Sequence, residues 1–459
     1  MTALPPQGPQ GPQRLRLLLP AALAVLSVAL AAVLPACDAM PDWLGSVEKP
    51  PLPGERISVI ALQRTLVPDP DIADLDVRLP KPYANADWPQ DGGDPSHAMH
   101  HLAAGENVGE LWRQDAGAGS DDLRRLLASP VVAKGMVFVF DAEGRVSAFD
   151  AANGRPSWSY SVVPRGEEEG AIGGGLAVDS GILYIASGYG EVIALEAATG
   201  AEFWRHRIGV PLRGAPTVSA GRVFVISHDN QLWALSAIDG SRQWSHVGIA
   251  ENAGLLGASS PAVQGDLVVA PYSSGELFAL RVENGRIAWA DALTRAGRMT
   301  ALAELSDING RPVIDRGRVY AVSHAGRMVA IDLRSGGRVW EQEIASVQSP
   351  WVAGDFLFIV SLEGQVVCLS RLDGRVRWVR QLARYEDEDE RVPIRWSGPL
   401  LVGDRLVVTS SAGSAVAVSP YTGLVLGSLQ MSVPVSIPPV VAGGTLFFLT
   451  DDATLIAYR

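Results

Sequence analysis

The sequence predicts an all-β fold, an eight-bladed β-propeller of four-stranded antiparallel blades whose last blade is closed by an N-terminal strand. Three observations carry that prediction. A unit of apolar strand, polar turn and second apolar strand recurs seven times between Ser129 and Met431. Six of these units end on a Gly with a Trp four residues beyond it: NGRPSW (153–158), TGAEFW (199–204), DGSRQW (239–244), NGRIAW (284–289), SGGRVW (335–340) and DGRVRW (373–378). The two ends of the repeat region supply complementary fragments of an eighth unit.

The tryptophans of the six units lie 38 to 51 residues apart, a period that belongs to propeller blades rather than to helical solenoids. Each unit opens on a short segment such as SPVV (129–132), APTV (215–218) or GPLL (398–401) and continues with runs such as RVFVIS and QLWALS. Period-two alternation rich in Val, Ile, Leu and Phe reads as strands, four to a unit. The Asn-Gly, Asp-Gly or Thr-Gly pair suits a tight turn between the third and fourth strands, because Gly accepts positive φ without a Cβ clash. Trp158, Trp204, Trp244, Trp289, Trp340 and Trp378 then stand on outer strands, where a broad ring fills the wedge that opens between blades away from the axis. The seventh unit, TGLVLG (422–427), keeps the turn and carries Gly427 in place of Trp.

Residues 437–459 provide three strands and stop before any turn, whereas ELWR (110–113) provides an orphan outer strand with Trp112. Joining them closes the ring and removes two edges that would otherwise pair with other chains.

Upstream of the repeats, residues 1–36 read as an export signal: Arg14 and Arg16, an apolar run over 17–34, then Pro35-Ala36-Cys37. Leu34-Pro35-Ala36-Cys37 resembles a bacterial lipobox, which makes Cys37 the expected lipidation site. A plain membrane anchor is the competing reading of 18 apolar residues. Cys368, the other cysteine, falls in the strand QVVCLS and reads as a small buried hydrophobe. Residues 37–85, rich in Pro and acidic side chains, read as an extended tether that cannot bury enough apolar surface to fold alone. Within it, ERISVI (55–60) alternates and could add as a strand to a partner or to the propeller. The propeller is expected over residues 86–459. A net charge of −12 over 459 residues, with no basic stripe, argues against nucleic acid as a partner.

The lipobox, the tether PPLPGERISVI (50–60) and the eight blades together resemble the BamB family of outer-membrane assembly factors in its alphaproteobacterial form. These are periplasmic lipoproteins within the larger class of propellers with quinone-enzyme-like repeats. Two shorter segments add to the resemblance: VPLRG (210–214) before a blade-opening Ala-Pro, and LSDIN (305–309), where the family carries Asp at the position of Asn309. The resemblance implies a non-catalytic scaffold of the barrel-assembly (BAM) complex. Val210, Leu212, Arg213, Asp307 and Asn309 would lie on the surface that docks on the POTRA domains of BamA, and unfolded barrel precursors would be a second class of partner. An Arg beside a Leu suits an interface anchor. Asp307 could pair with Arg213 within one protomer or meet a basic residue of the partner. The family's location implies the periplasmic face of the outer membrane, although Asp38 after the lipidated Cys favours inner-membrane retention in enteric bacteria.

Quinone-dependent dehydrogenases are the alternative. They hold pyrroloquinoline quinone over the ring axis with calcium, a stacking Trp and commonly a disulfide between adjacent cysteines. This sequence has no Cys-Cys pair and no Asp-x-Asp-x-Asp-Gly loop, so no cofactor, metal or catalytic residue is expected. Trp43, Trp88, Trp233, Trp351 and Trp396 have no place in the repeat. His97, His100 and His101 form an HxxHH cluster that reads as a solvated polar stretch before it reads as a metal site. The acidic runs at 167–169 and 386–390 read as solvated loops. Gly173-Gly174-Gly175 precedes no helix pattern and so is no phosphate loop.

Overall fold

The repeat folds into eight four-stranded antiparallel sheets among the described residues of a computed structural model. These are residues 66–459 apart from 106–108, 168–169, 252–258, 295–306, 388 and 390. Met1–Arg64 is a separate unit outside the described residues, and with it fall the export signal, Cys37, Asp38, Trp43 and ERISVI. Blades 1 to 7 follow in sequence order over residues 131–161, 174–207, 217–247, 262–292, 313–342, 351–381 and 396–430. Blade 8 joins residues 440–458 to Glu110–Asp115.

Burial follows distance from the axis. In blade 1 the inner strand Val131–Ala133 and the next two are buried almost throughout, whereas the outer strand Pro156–Ser161 alternates between exposed and half-buried. The two inner faces of neighbouring blades pack on each other, which explains why the second and third strands are continuous apolar runs. A small residue lies opposite each outer-strand tryptophan: Ala148 pairs with Trp158, Ala194 with Trp204, Ala234 with Trp244, and Cys368 takes this place opposite Trp378. Cys368 is therefore a size-selected core residue, fully buried.

Each outer-strand tryptophan locks its blade to the next. Its indole N–H donates across the interface to a main-chain carbonyl: Trp112 to Ala151, Trp158 to Ala197, Trp204 to Ala237, Trp244 to Val282, Trp289 to Leu333, Trp340 to Arg371 and Trp378 to Pro420, at 2.8–3.2 Å. The ring lies on the turn glycine of that next blade. A Cβ on Gly240 would come within 2.5 Å of Trp204, and one on Gly154 within 2.6 Å of Trp112. These glycines also sit at φ +70 and +71, so the turn needs Gly twice, for its backbone and for the indole above it. In six of the seven, the ring also tilts against an aromatic residue from the second strand of its own blade, centroids 5.8–6.1 Å apart.

The missing eighth tryptophan now has a cause. Blade 7 faces blade 8, whose third and outer strands come from opposite ends of the sequence and share no Asn-Gly turn for an indole to cover. Gly109 and Arg459 instead exchange two backbone hydrogen bonds, both 2.9 Å, and the outer strand pairs from Glu110 opposite Tyr458 to Asp115 opposite Thr454. At the vacant place, beneath Gly427, lies a cleft of about 410 Å³ walled by side chains that include Val407, Leu446 and Phe448.

Residues 66–85, expected as part of the tether, join residues 86–104 in a strap on the ring. The first part lies along blade 6: Asp69 N–H donates to Val376 O at 2.8 Å, the 3-10 turn Pro70–Ile72 buries Ile72, and Val77 enters the core between blades 6 and 7. Composition concealed this because two apolar side chains, Ile72 and Val77, suffice to dock a strap on a ready surface, though they could not fold it alone.

The strap then crosses the axis and bonds in turn to every blade. Trp88 exchanges two hydrogen bonds with Val132 of blade 1, and Pro89 O accepts from Val178 N–H of blade 2. The Gln90 amide pairs with both main-chain groups of Val218 of blade 3 at 2.9 Å. Pro95 O and Ser96 O accept from Val263 and Ile314 of blades 4 and 5, and Trp351 of blade 6 donates to His100 O at 2.6 Å. Leu102 O and Asn85 O accept from Gly403 and Gly443 of blades 7 and 8, at 2.9 and 2.7 Å. Trp88 and Trp351, outliers to the repeat, stack here at 6.4 Å.

The histidine cluster is part of this strap and is not solvated as expected. His97 bonds Pro312 O through Nδ1 at 2.7 Å, His101 bonds Pro80 O at 2.8 Å, and both are buried. Burial, then the nearby Arg311 guanidinium, pushes the His97 imidazole down to about 4.

Two measurements check this architecture. Trp112→Ala should cost roughly 3–5 kcal/mol of unfolding free energy in urea, as for other large core truncations; an unchanged midpoint would refute closure through this strand. For His97, the unfolded chain takes up a proton near pH 6.5 and the folded chain only near pH 4. Stability therefore falls as pH drops through that window. His97→Gln should lose about 2 kcal/mol less than the parent protein between pH 7 and pH 5; equal losses would mean that this imidazole is not held neutral.

Candidate partner-binding face and axial chamber

The strap covers one face of the ring. It bonds at the turns between first and second strands, where Lys134 N–H donates to Asp87 Oδ1 at 2.8 Å and Gly403 and Gly443 meet Leu102 and Asn85. The loops between blades, and the turns between second and third strands, lie at the other ends of the same strands. That opposite face carries the segments singled out at 210–214 and 307–309.

Those segments meet. Arg213 Nη2 donates to Asp307 Oδ1 at 2.9 Å, with side chains only 7% and 1% exposed. Arg213 Nη1 reaches Asn230 Oδ1 at 3.3 Å, and the same oxygen accepts from Ser273 N–H at 3.1 Å and from its hydroxyl at 3.0 Å. The clamp thus joins the loop before blade 3, turns of blades 3 and 4, and the loop before blade 5. Of the two pairings that the sequence left open for Asp307, the geometry selects the one within the protomer.

Burial corrects the expectation for these residues as a contact surface. Leu212, Arg213, Asp307 and Asn309 are all buried, and only Val210 is partly exposed. The physical reason is the clamp: the Arg213 guanidinium has the Asp307 carboxylate and the Asn230 amide oxygen within reach, so its charge and donors are met inside the protein. Leu212 is held by its N–H on Ser187 O at 3.2 Å and by Gly173, where a Cβ would lie 2.4 Å from Leu212 O. The glycine run at 173–175 serves this close approach. Leu305 and Ser306 lie outside the described residues.

What the face does expose is a set of apolar side chains around the clamp. Ile172, Val247 and Ile249 are exposed, as is Pro211. Ile249 is fixed by main-chain bonds, its carbonyl accepting from Asn230 Nδ2 at 2.6 Å and its N–H donating to Glu276 at 2.8 Å. Periodicity alone did not find these residues, because each stands singly at a strand end or in a loop.

Inside the face, around the axis, is a chamber of about 200 Å³ with Asp91 of the strap at its floor. Its walls are the residues just before the inner strands, among them Ala215, Asn309, Arg311, Gln348 and Ile437. Arg311 Nη1 donates to Asp91 Oδ1 at 2.5 Å. Asn309, expected on the docking surface, lines this chamber. The remaining tryptophans are structural: Trp396 N–H donates to Ala383 O at 2.8 Å, and Trp233 donates to Ser227 Oγ at 3.3 Å. Among the described residues no group of three or more His, Cys, Asp or Glu side chains is placed to hold a metal ion. The acidic runs fall partly outside those residues.

Comparison with known proteins matches this sequence to one family and this fold to more than one. The sequence pattern of the family described as outer membrane protein assembly factor BamB covers residues 102–168 and 142–380. An uncharacterized protein of Rickettsia prowazekii, RP232, is 29% identical over 271 residues, 58% of this chain and 65% of that protein. The outer membrane protein assembly factor BamB of Yersinia pestis is 27% identical over 300 residues, 64% of this chain and 76% of that protein. Among solved structures, BamB from Moraxella catarrhalis aligns with a TM-score of 0.64 at 19% identity, over 77% of this chain and all of that one. A europium-containing methanol dehydrogenase aligns equally well, TM-score 0.65 at 15% identity, over 79% and 89%. At such identities the structural likeness establishes the propeller and leaves function to sequence. With more than half of its length matched by the family's own pattern, the chain belongs to the BamB family of outer membrane protein assembly factors.

Proposed function

We propose that this chain is a non-catalytic scaffold lipoprotein of the outer-membrane β-barrel assembly complex, docking on the POTRA domains of BamA and assisting delivery and insertion of barrel precursors. Family membership supports the complex. One geometric observation supports the docking face: the buried Arg213–Asp307 clamp rigidifies two loops, and Ile172, Pro211, Val247 and Ile249 stand exposed around it on the side that the strap leaves open. A partner that buries such side chains meets a surface already ordered, so little entropy is lost on docking. In this reading Arg213 and Asp307 position the surface without touching the partner. Precursors in extended form would pair with free outer-strand edges. Residues 1–36 act as the export signal, Cys37 carries the lipid and the residues after it serve as the tether, at the periplasmic face of the outer membrane.

The docking face is tested by co-purification with the periplasmic domains of the barrel-inserting protein. The double variant Val247→Asp, Ile249→Asp should lose at least about tenfold in affinity, as for a small hot spot, with its melting unchanged. Arg213→Ala should instead destabilise the fold by roughly 3–5 kcal/mol, by leaving Asp307 buried without its cation. Full binding by the double variant would refute this face. Mass spectrometry of the mature N terminus should find an acylated Cys37; an unmodified thiol there would refute the anchor.

A further inference from the structure

The interface between blades 7 and 8 has the register of the other seven without their indole. Gly427 stands opposite Ala417, and Ala417 opposite Val407, the register that elsewhere brings a tryptophan onto a small third-strand residue. Under the seven indoles those small residues are fully buried, whereas Ala417 is only half-buried. A Cβ on Gly427 would meet nothing within 4 Å, so the cleft of about 410 Å³ beside it is open where a side chain would start. The strand that carries this glycine is open as well. Val425–Gln430 ends its sheet with no strand on its outer edge among the described residues, and all six of its residues are exposed. Six of the other outer strands carry charged side chains and the seventh, Pro156–Ser161, begins with proline, two devices that keep an edge from pairing. VLGSLQ (425–430) has neither, and Leu424, Val425 and Leu426 are 52–55% exposed.

We infer that this edge binds an extended, uncharged segment of another polypeptide, which adds as a fifth strand and places an aromatic side chain over Gly427. Main-chain groups of Val425–Gln430 supply the hydrogen bonds. A ring on the added strand covers the glycine opposite it, and here it meets Val407 of blade 7 and Leu446 and Phe448 of blade 8. The other seven interfaces show what this place accepts, an indole between two blades. Charge matches an uncharged partner: the edge offers no ion to pair with, and a charged side chain in the cleft would lose its water against apolar walls. A second copy of the chain is a poorer fit, because its matching edge, VLGSLQ, carries no aromatic residue. The inference rests on the reading that extended precursors pair with outer-strand edges, and narrows it to one edge of the ring.

The probe is the neutral peptide acetyl-Thr-Val-Thr-Trp-Thr-Val-Thr-amide, titrated calorimetrically into the full chain in detergent. The wild type should bind it at least about tenfold more tightly than the same peptide with Ala for Trp. Gly427→Trp fills the cleft from within, and Leu426→Lys sets a charge on the edge. Each should weaken binding at least about tenfold, and the exposed Leu426 guards against a failure of the first variant to fold, since its replacement should leave melting unchanged. Undiminished binding by both variants overturns this site alone, because another edge then takes the peptide. No binding of either peptide by the wild type overturns the site and edge pairing together. Equal affinity for the Ala peptide overturns the aromatic place, and a wild-type dimer in sedimentation that Leu426→Lys splits assigns the edge to a second copy and overturns the inference.

Discussion

The contact on which this protein depends is an indole laid over a glycine. Each outer-strand tryptophan spans the gap to the next blade, covers the turn glycine there and donates to a carbonyl beside it. A propeller sheet is too small to bury both its faces alone, so its stability is shared with its neighbours. The tryptophan works at the periphery, where radial divergence would otherwise admit water. The same contact fixes the register of neighbouring blades, because only glycine accepts both the positive φ and the ring. Gly427 obeys the rule by exception: where the following blade has no turn, the sequence carries no tryptophan.

Two further devices hold the ring together. At its rim, Glu110–Asp115 completes blade 8 from the far end of the chain. At its axis, residues 85–102 bond to the inner strands or turns of all eight blades. Inner strands of three residues make few ladder bonds of their own, and the strap satisfies main-chain groups that would face an empty channel. The cost of burying His97 in neutral form is set against that stitching. One mouth of the channel is thereby closed, and the other face, with its clamped loops, is left uncovered by the strap.

This division gives the Arg213–Asp307 pair a meaning different from that of a surface charge. Buried ion pairs add little net stability over apolar packing, yet removing one partner is costly. Such a pair suits the fixing of loop geometry. Here it draws together segments 94 residues apart, and the exposed Val247 and Ile249 inherit their positions from it through Asn230.

The periodic features were legible in the sequence because they repeat. Strand count, turn glycines, wedge tryptophans and the split blade all follow from a pattern in which each residue's role is local or one blade away. The strap was hidden, since its apolar residues obey no period and its partners are main-chain atoms of eight different sheets. Trp88, His97 and His101 looked like residues in search of a function until the axis placed them. Leu212, Arg213, Asp307 and Asn309 were recognisable as special, but not as buried. Composition and periodicity by themselves determined an eight-bladed ring and its closure, for those depend on side-chain size and backbone freedom at fixed spacing. Only the tertiary structure decided which polar residues face solvent, a clamp or the axial chamber, because that choice rests on what the rest of the chain brings within hydrogen-bonding distance.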